Sequence, residues 1–232
     1  MHAKPGLRVV LKWKIASSGS VIADVIWLMA NSKTITDDPR VARYADTLSI
    51  GDSIVTVSFD GASEFGHTHK PDSNFTVARS DVVSKTCWLR KFGNIPIPDG
   101  PWHGYQLIIH VDDRLFVGVD RAALELDPET GQTLRTTNIN NTVIRSMLLN
   151  TVFNTIVVRT DYYGFDANFA ASNISAINLD GSIAWSAQLP NDGDVFTNCC
   201  YNNGILTAYS WNGWDCQLDD TNGVISEKRW TK

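Results

Sequence analysis

An alternating apolar and polar run from Leu124 enters the polar segment Asp127-Pro128-Glu129-Thr130-Gly131, and a second alternating run leaves it toward Arg135. Period-two alternation on both sides of a turn signature predicts two antiparallel strands. Pro128 fixes its φ early in the turn, Gly131 accepts the positive φ that closes it, and Asp127 can hydrogen-bond its own backbone. The layout returns from Ala176 to Trp185 with one turn residue fewer, and at full length from Gln217 to Glu227. A weaker copy runs from Ala78 to Trp88, with Ser80-Asp81 in the turn and no glycine. Placed on Ala78, Glu125, Ala176 and Gln217, the copies recur roughly every 40 to 50 residues, the period of a propeller or solenoid with one supersecondary unit per copy.

A hairpin precedes each copy. The paired runs are Tyr44 to Ile50 with Ile54 to Phe59, Tyr105 to His110 with Leu115 to Val119, Arg145 to Leu149 with Thr155 to Thr160, and Asp194 to Cys200 with Ile205 to Ser210. Their turns, Gly51-Asp52, Asp112-Asp113, Val152-Phe153-Asn154 and Asn202-Asn203-Gly204, are mostly turn chemistry. Each unit is therefore four short antiparallel strands, the blade of a β-propeller, in which radial repetition leaves only short protected edges. The expected fold is all-β, a propeller of five blades mostly of four antiparallel strands, forming a single domain over residues 1–232. Residues 1–43 make a reduced first blade, and 44–92, 104–138, 143–190 and 193–232 make the fuller ones. In the first, Leu7 to Ile15 and Val21 to Met29 read as strands; helical periodicity over Val21 to Asn31 is the alternative, disfavoured by its β-branched content. The ring closes either by packing of the terminal blades or by Leu7 to Ile15 adding to the last sheet.

The recurring A-x-D-x-x-T-G-x-x-x-W pattern resembles the repeat of pyrroloquinoline-quinone-type (PQQ-like) β-propellers. Ala176, Asn178, Gly181 and Trp185 match it best. Asp127, Thr130 and Gly131 match in the preceding unit, where Arg135 holds the tryptophan position; Asp219 and Gly223 match in the last, where Glu227 does. The resemblance covers about residues 44 to 232 and implies a fold, with no activity attached. The ending Trp211 to Lys232 is also similar to that of small bacterial propeller proteins, some suspected of being immunity proteins that neutralise a toxin domain. That likeness implies an acidic surface occluding a basic nuclease site.

Eight Trp, nine Phe and six Tyr supply bulk for packing between blades. The formal net charge of −5 disfavours nucleic acid as a direct ligand and suits a basic protein partner. The amino terminus lacks the apolar run and cleavage site of a secretory signal, and no segment approaches ~20 consecutive apolar residues. A cytoplasmic protein is expected, with Cys87, Cys199, Cys200 and Cys216 reduced and in the core.

The second and fourth units carry long connections between their second and third strands, Asp60 to Asn74 and Asp161 to Asn173, where the third has Asp120-Arg121 and the fifth Trp211-Asn212-Gly213. Equivalent positions in a radial array project to one face. That face gathers Glu64, Trp102, His103, Asp161, Tyr162, Tyr163, Phe165, Asp166 and Trp211, aromatic anchors interleaved with carboxylates, as a protein-binding surface uses them. The competing reading folds these rings back over their own loops.

Other chemistry is thinner. His67 and His69 could share a side of an extended segment, with Asp60, Glu64 or Asp72 adding oxygens, but no third ligand is fixed and no metal site is assigned. Cys199-Cys200 is adjacent, as in the vicinal disulfide of some quinone-dependent dehydrogenases of the resembling family; neighbours in a strand face opposite sides, so one thiol should enter the core. No nucleophile elbow, phosphate loop or H-E-x-x-H is present, His110 beside Asp112 and Asp113 reads as hairpin-turn chemistry, and Asp112, Asp113, Asp192 and Asp194 read as solvated turn residues. No catalytic residue and no cofactor is expected. The leading reading is a non-enzymatic protein-binding propeller, plausibly a bacterial immunity protein of a toxin–antitoxin pair. The rival is a carbohydrate-binding or small-molecule propeller or enzyme with an axial site, using Trp211, Trp214, Trp102 or Tyr163 as stacking faces. A scaffold binding through blade edges is third.

Overall fold

A computed structural model describes residues 10–15, 21–26, 43–59, 75–81, 83, 85–93, 106–139, 143–160 and 172–231. Every regular element among them is a strand, and no helix there is long and apolar enough to cross a membrane. The chain divides into two compact units, Met1–Val41 and Ala42–Lys232. The first holds β1 (Val10–Ile15) and β2 (Val21–Ile26), paired antiparallel from Val10↔Ile26 to Ile15↔Val21. Val21–Ile26 is thus extended, as its β-branched residues predict, and the rest of the expected strand, to Met29, lies outside the described residues.

The second unit contains four antiparallel four-stranded sheets, each in simple up-and-down order. They are β3 (Arg43–Ile50), β4 (Ser53–Phe59), β5 (Phe75–Asp81) and β6 (Thr86–Phe92); then β7 (Ile108–Val111), β8 (Arg114–Val119), β9 (Ala122–Leu126) and β10 (Thr133–Asn138). There follow β11 (Ile144–Asn150), β12 (Thr155–Thr160), β13 (Ile174–Asn178) and β14 (Ile183–Ser186), and last β15 (Phe196–Asn202), β16 (Ile205–Ser210), β17 (Trp214–Leu218) and β18 (Ile225–Trp230).

First strands adjoin across the first two junctions, which makes them the inner ones. Asp46 of β3 accepts the Leu107 and Ile108 amides through Oδ2 at 2.6 and 2.9 Å. Gln106 bridges Ser146 of β11 in parallel, with the Met147 amide donating to its carbonyl at 2.6 Å. Asn173 imitates a strand partner for β15, donating Nδ2 to the Phe196 carbonyl at 2.7 Å and accepting the Phe196 amide at 2.9 Å. All three junctions join like end to like end, so the four sheets point the same way.

Each interior sheet is covered on both faces, and alternation sorts its side chains between neighbours. Every residue of β12 is buried. Ile156 and Val158 enter a cluster with Val117, Leu126 and Ile144, while Val157 enters another with Ile174, Phe196, Leu206 and Cys216. A period of two therefore yields a continuous apolar run instead of an amphipathic one. Burial fades outward: in β6 and β14 only Trp88 and Trp185 are buried.

Those two indoles lock each blade to the next. Trp88 donates Nε1 to the Pro128 carbonyl at 2.9 Å, and Trp185 to the Asp220 carbonyl at 2.8 Å. Each ring lies on the turn glycine that follows, and a Cβ on Gly131 would sit 2.5 Å from Trp88 Cε3, one on Gly223 2.6 Å from Trp185 Cε3. Both glycines also have positive φ, +68° and +74°, so the conformation and the close approach make the same demand. The weak first copy closes without glycine: Asp81 Oδ1 accepts the Val83 and Lys85 amides at 3.1 and 2.8 Å.

Candidate interaction face

The long connections follow β4 and β12, and they leave from the same end of their sheets. Phe59 pairs with Phe75 across the first, and the Thr160 amide donates to the Asn173 carbonyl at 2.9 Å across the second. Of the expected site residues, Trp211 is described, while Glu64, Trp102, His103, Asp161, Tyr162, Tyr163, Phe165 and Asp166 lie outside the described residues, as do His67 and His69.

Trp211 is 57% exposed on a tight β16–β17 turn. Its amide donates to the Val195 carbonyl at 2.8 Å, and Gly213 supplies a φ of +91° where the chain reverses. Asp194 fixes the neighbouring backbone: Oδ1 accepts the Val195 amide at 2.8 Å and the Asn212 amide at 3.3 Å. The residue is 2% exposed, which corrects its reading as a solvated turn residue. Hairpin composition alone cannot show this, because Asp194 is engaged by a loop eighteen residues later. Asp194→Ala should lower stability by about 1–2 kcal/mol because two backbone amides lose their shared acceptor, read by urea denaturation, and shift Trp211 emission.

Two further carboxylates stand at this end. Burial pushes the Asp46 carboxyl above the ordinary value against the opposing pull of the Leu107, Thr47 and Ile108 amides. Burial likewise raises Asp120, with the Arg121 charge opposing it. Asp120 takes φ +52°, and its turn is clamped because the Ile144 amide donates to the Asp120 carbonyl at 2.7 Å and the Ile139 amide to the Arg121 carbonyl at 3.0 Å.

The remaining candidates separate. Cys199 is buried, Cys200 half-buried, and both are free thiols. Burial pushes the Cys199 thiol up to about 11, and the Cys216 thiol likewise to about 11, which leaves almost no thiolate to act as a nucleophile near neutral pH. Cys87 is exposed, against the core expectation, because Trp88 beside it faces inward and alternation turns Cys87 out. Among the described residues no group of three or more His, Cys, Asp and Glu side chains is placed to hold a metal ion.

Residues 135–230 match a family described as a domain of unknown function, DUF7957. No curated protein matches the chain. Among the solved structures that share the fold are two of known source. BamB from Moraxella catarrhalis is 12% identical with a TM-score of 0.51 over 79% of this chain and 47% of its own. The quinohemoprotein alcohol dehydrogenase from Comamonas testosteroni is 12% identical with a TM-score of 0.50 over 79% and 42%. The chain thus spans less than half the length of either. Up-and-down four-stranded sheets, inner first strands and the turn repeat together define a β-propeller.

Proposed function

We propose that the chain is a non-enzymatic protein-binding propeller, acting as one domain over 1–232, that holds a basic protein partner on its loop-bearing face. The observation that carries this reading is Trp211, a large ring more than half exposed on a turn whose backbone a buried aspartate fixes. A rigidly held aromatic is ordered before binding, so it can anchor a partner at little entropic loss. Glu64, Trp102, His103, Asp161, Tyr162, Tyr163, Phe165 and Asp166 complete the surface in this proposal, and the formal charge of −5 steers a cationic partner. More finely, the role is that of a cytoplasmic bacterial immunity protein neutralising a toxin, with a basic nuclease as the fitting class. This finer role rests on the likeness of Trp211 to Lys232 to such proteins and on charge.

The test is capture of a stoichiometric partner followed by Tyr162→Ala, Tyr163→Ala and Asp166→Ala together. Affinity should fall at least about tenfold, as loss of a central aromatic anchor does. Undiminished binding overturns the loop-face assignment. Co-expression with a toxin encoded beside it should restore growth, and failure to do so removes the immunity role while leaving partner binding to stand.

A further inference from the structure

The end of the sheets opposite the loop-bearing face shows apolar side chains where turn chemistry does not call for them. Three inner hairpins close in two residues, Gly51-Asp52, Asp112-Asp113 and Asn203-Gly204, while the fourth uses residues 151–154. That longer turn presents Val152, 79% exposed, and Phe153, 48% exposed, and Ile205 in the next blade is 46% exposed. The turn is held firmly: Asn150 Oδ1 accepts the Val152 and Phe153 amides at 3.0 and 3.2 Å, and Asn154 closes it at φ +52°. Its base is tied to the next blade, where Tyr201 donates its hydroxyl to Asp220 Oδ1 at 2.8 Å and the Asn150 side chain lies against both.

Acids flank this apolar tip. Asp112 and Asp113 close the preceding hairpin, and Asp180, Asp219 and Asp220 lie in outer turns of the same end. Bonds from Ser182 and Thr221 hold Asp180 and Asp219 below the usual carboxylate range, so both are ionised at neutral pH. Arg114 and Arg135 stand near these acids: Arg114, by Asp112 and Asp180, is turned into Glu125 and the Leu179 carbonyl, and Arg135, by Asp180, donates to that same carbonyl. An exposed apolar tip with ionised acids on turns at the same end is a surface a partner of opposite charge covers.

We propose that this hairpin end is a second protein-docking surface, anchored by Val152, Phe153 and Ile205, whose occupant is a basic segment presenting aliphatic side chains among lysines. It is distinct from the loop-bearing face and stands whether or not that face binds anything. The acids guide the approach, and the apolar tip supplies the holding contact.

The probe is a 14-residue amphipathic Lys/Leu peptide, compared with Glu/Leu and all-Lys counterparts. Each is titrated into the full chain by fluorescence anisotropy, with backbone-amide NMR to locate it. The Lys/Leu peptide should bind tightest, shift amides of residues 151–154 and 203–205, and weaken as salt rises. Val152→Ser, Phe153→Ser and Ile205→Ser together should weaken binding about tenfold, with near-UV circular dichroism confirming an intact fold. Asp112→Asn with Asp113→Asn, which leaves the core untouched, should reduce the salt dependence. The loop variant with Tyr162, Tyr163 and Asp166 changed to alanine should bind the peptide as wild type does. The proposal is overturned by equal binding of the Glu/Leu or all-Lys peptide, by shifts confined to other residues, or by undiminished binding to the folded serine variant.

Discussion

Replacing Trp185 by alanine is expected to lower the unfolding free energy of the propeller unit by about 3–5 kcal/mol, the range for deleting a buried aromatic. The indole is 7% exposed, and it is the only buried side chain of β14. Its removal opens a cavity between the last two blades and leaves the Asp220 carbonyl without its indole donor. Gly223→Ala attacks the same junction from the other side. The added Cβ would stand 2.6 Å from Trp185 Cε3 and 3.0 Å from the Ser186 carbonyl oxygen, at φ +74°, for an expected loss of about 2–4 kcal/mol from strain and overpacking. Because ring and glycine touch, the double variant should lose less than the sum. Urea denaturation followed by far-UV circular dichroism measures all three. A loss below about 1 kcal/mol for Trp185→Ala would show that the junction does not depend on the indole.

The spacing of these pairs is why so much of the architecture could be read from the residues. Glycine and tryptophan stand four apart within one copy, Gly181 with Trp185, yet each ring lies on the glycine of the following copy: Trp185 on Gly223, Trp88 on Gly131. The repeat sets ring and glycine at fixed places in a copy, and where both are kept, as at Trp88 with Gly131 and Trp185 with Gly223, they meet across a junction. Periodicity reveals the copies, and the fold shows which glycine each ring lies on. Features that depend on register stay hidden. The bulges that break pairing between Tyr44 and Asp46, Ile144 and Ser146, and Phe196 and Asn198 leave no composition signal, and Asn173 holding Phe196 joins residues in different blades. The proposed interaction face rests on loop lengths and aromatic content, both legible in the residues, and of its side chains Trp211 alone is among the described residues. Asp194 was not, since its burial arises from the Trp211 turn closing over it. Val152 and Phe153 read in the sequence only as part of a hairpin turn, and the acids at the same end come from three blades and needed the fold to assemble them.

Glu125→Gln should destabilise the molecule by about 2–3 kcal/mol near neutral pH, at the junction where the repeat departs from its own rule. Arg135 holds the tryptophan position, and the turn it meets offers Gly181 and the Leu179 carbonyl, counterparts of Gly223 and the Asp220 carbonyl. Two guanidiniums replace one indole there: Arg135 Nη1 donates to the Leu179 oxygen at 3.4 Å, and Arg114 Nη2 donates to the same oxygen. Thr137 adds its hydroxyl to the Gly181 carbonyl at 3.1 Å. Glu125, 8% exposed, holds the pair in place, with Oε1 accepting Arg114 Nε at 2.7 Å and Oε2 3.7 Å from Arg135 Nε. Neutralising it leaves two cations facing each other beside a buried amide. The expected loss sits below the 3–5 kcal/mol of a fully buried pair because both arginines keep partial contact with water. The bond from Arg114 also holds the Glu125 carboxyl below its ordinary value. A depressed folded pKa means that the stabilisation is fully present above the unfolded value, about 4.3, and fades as pH falls through the folded one. Asp46, raised by burial, contributes with the opposite sign, so the wild-type profile mixes the two. The difference between wild type and Glu125→Gln removes the Asp46 contribution, and that difference should shrink as the solution is acidified below about pH 4. A gap that stays constant from pH 7 to pH 3 would show that the carboxylate's charge does not hold this junction and that its hydrogen-bonding shape alone does.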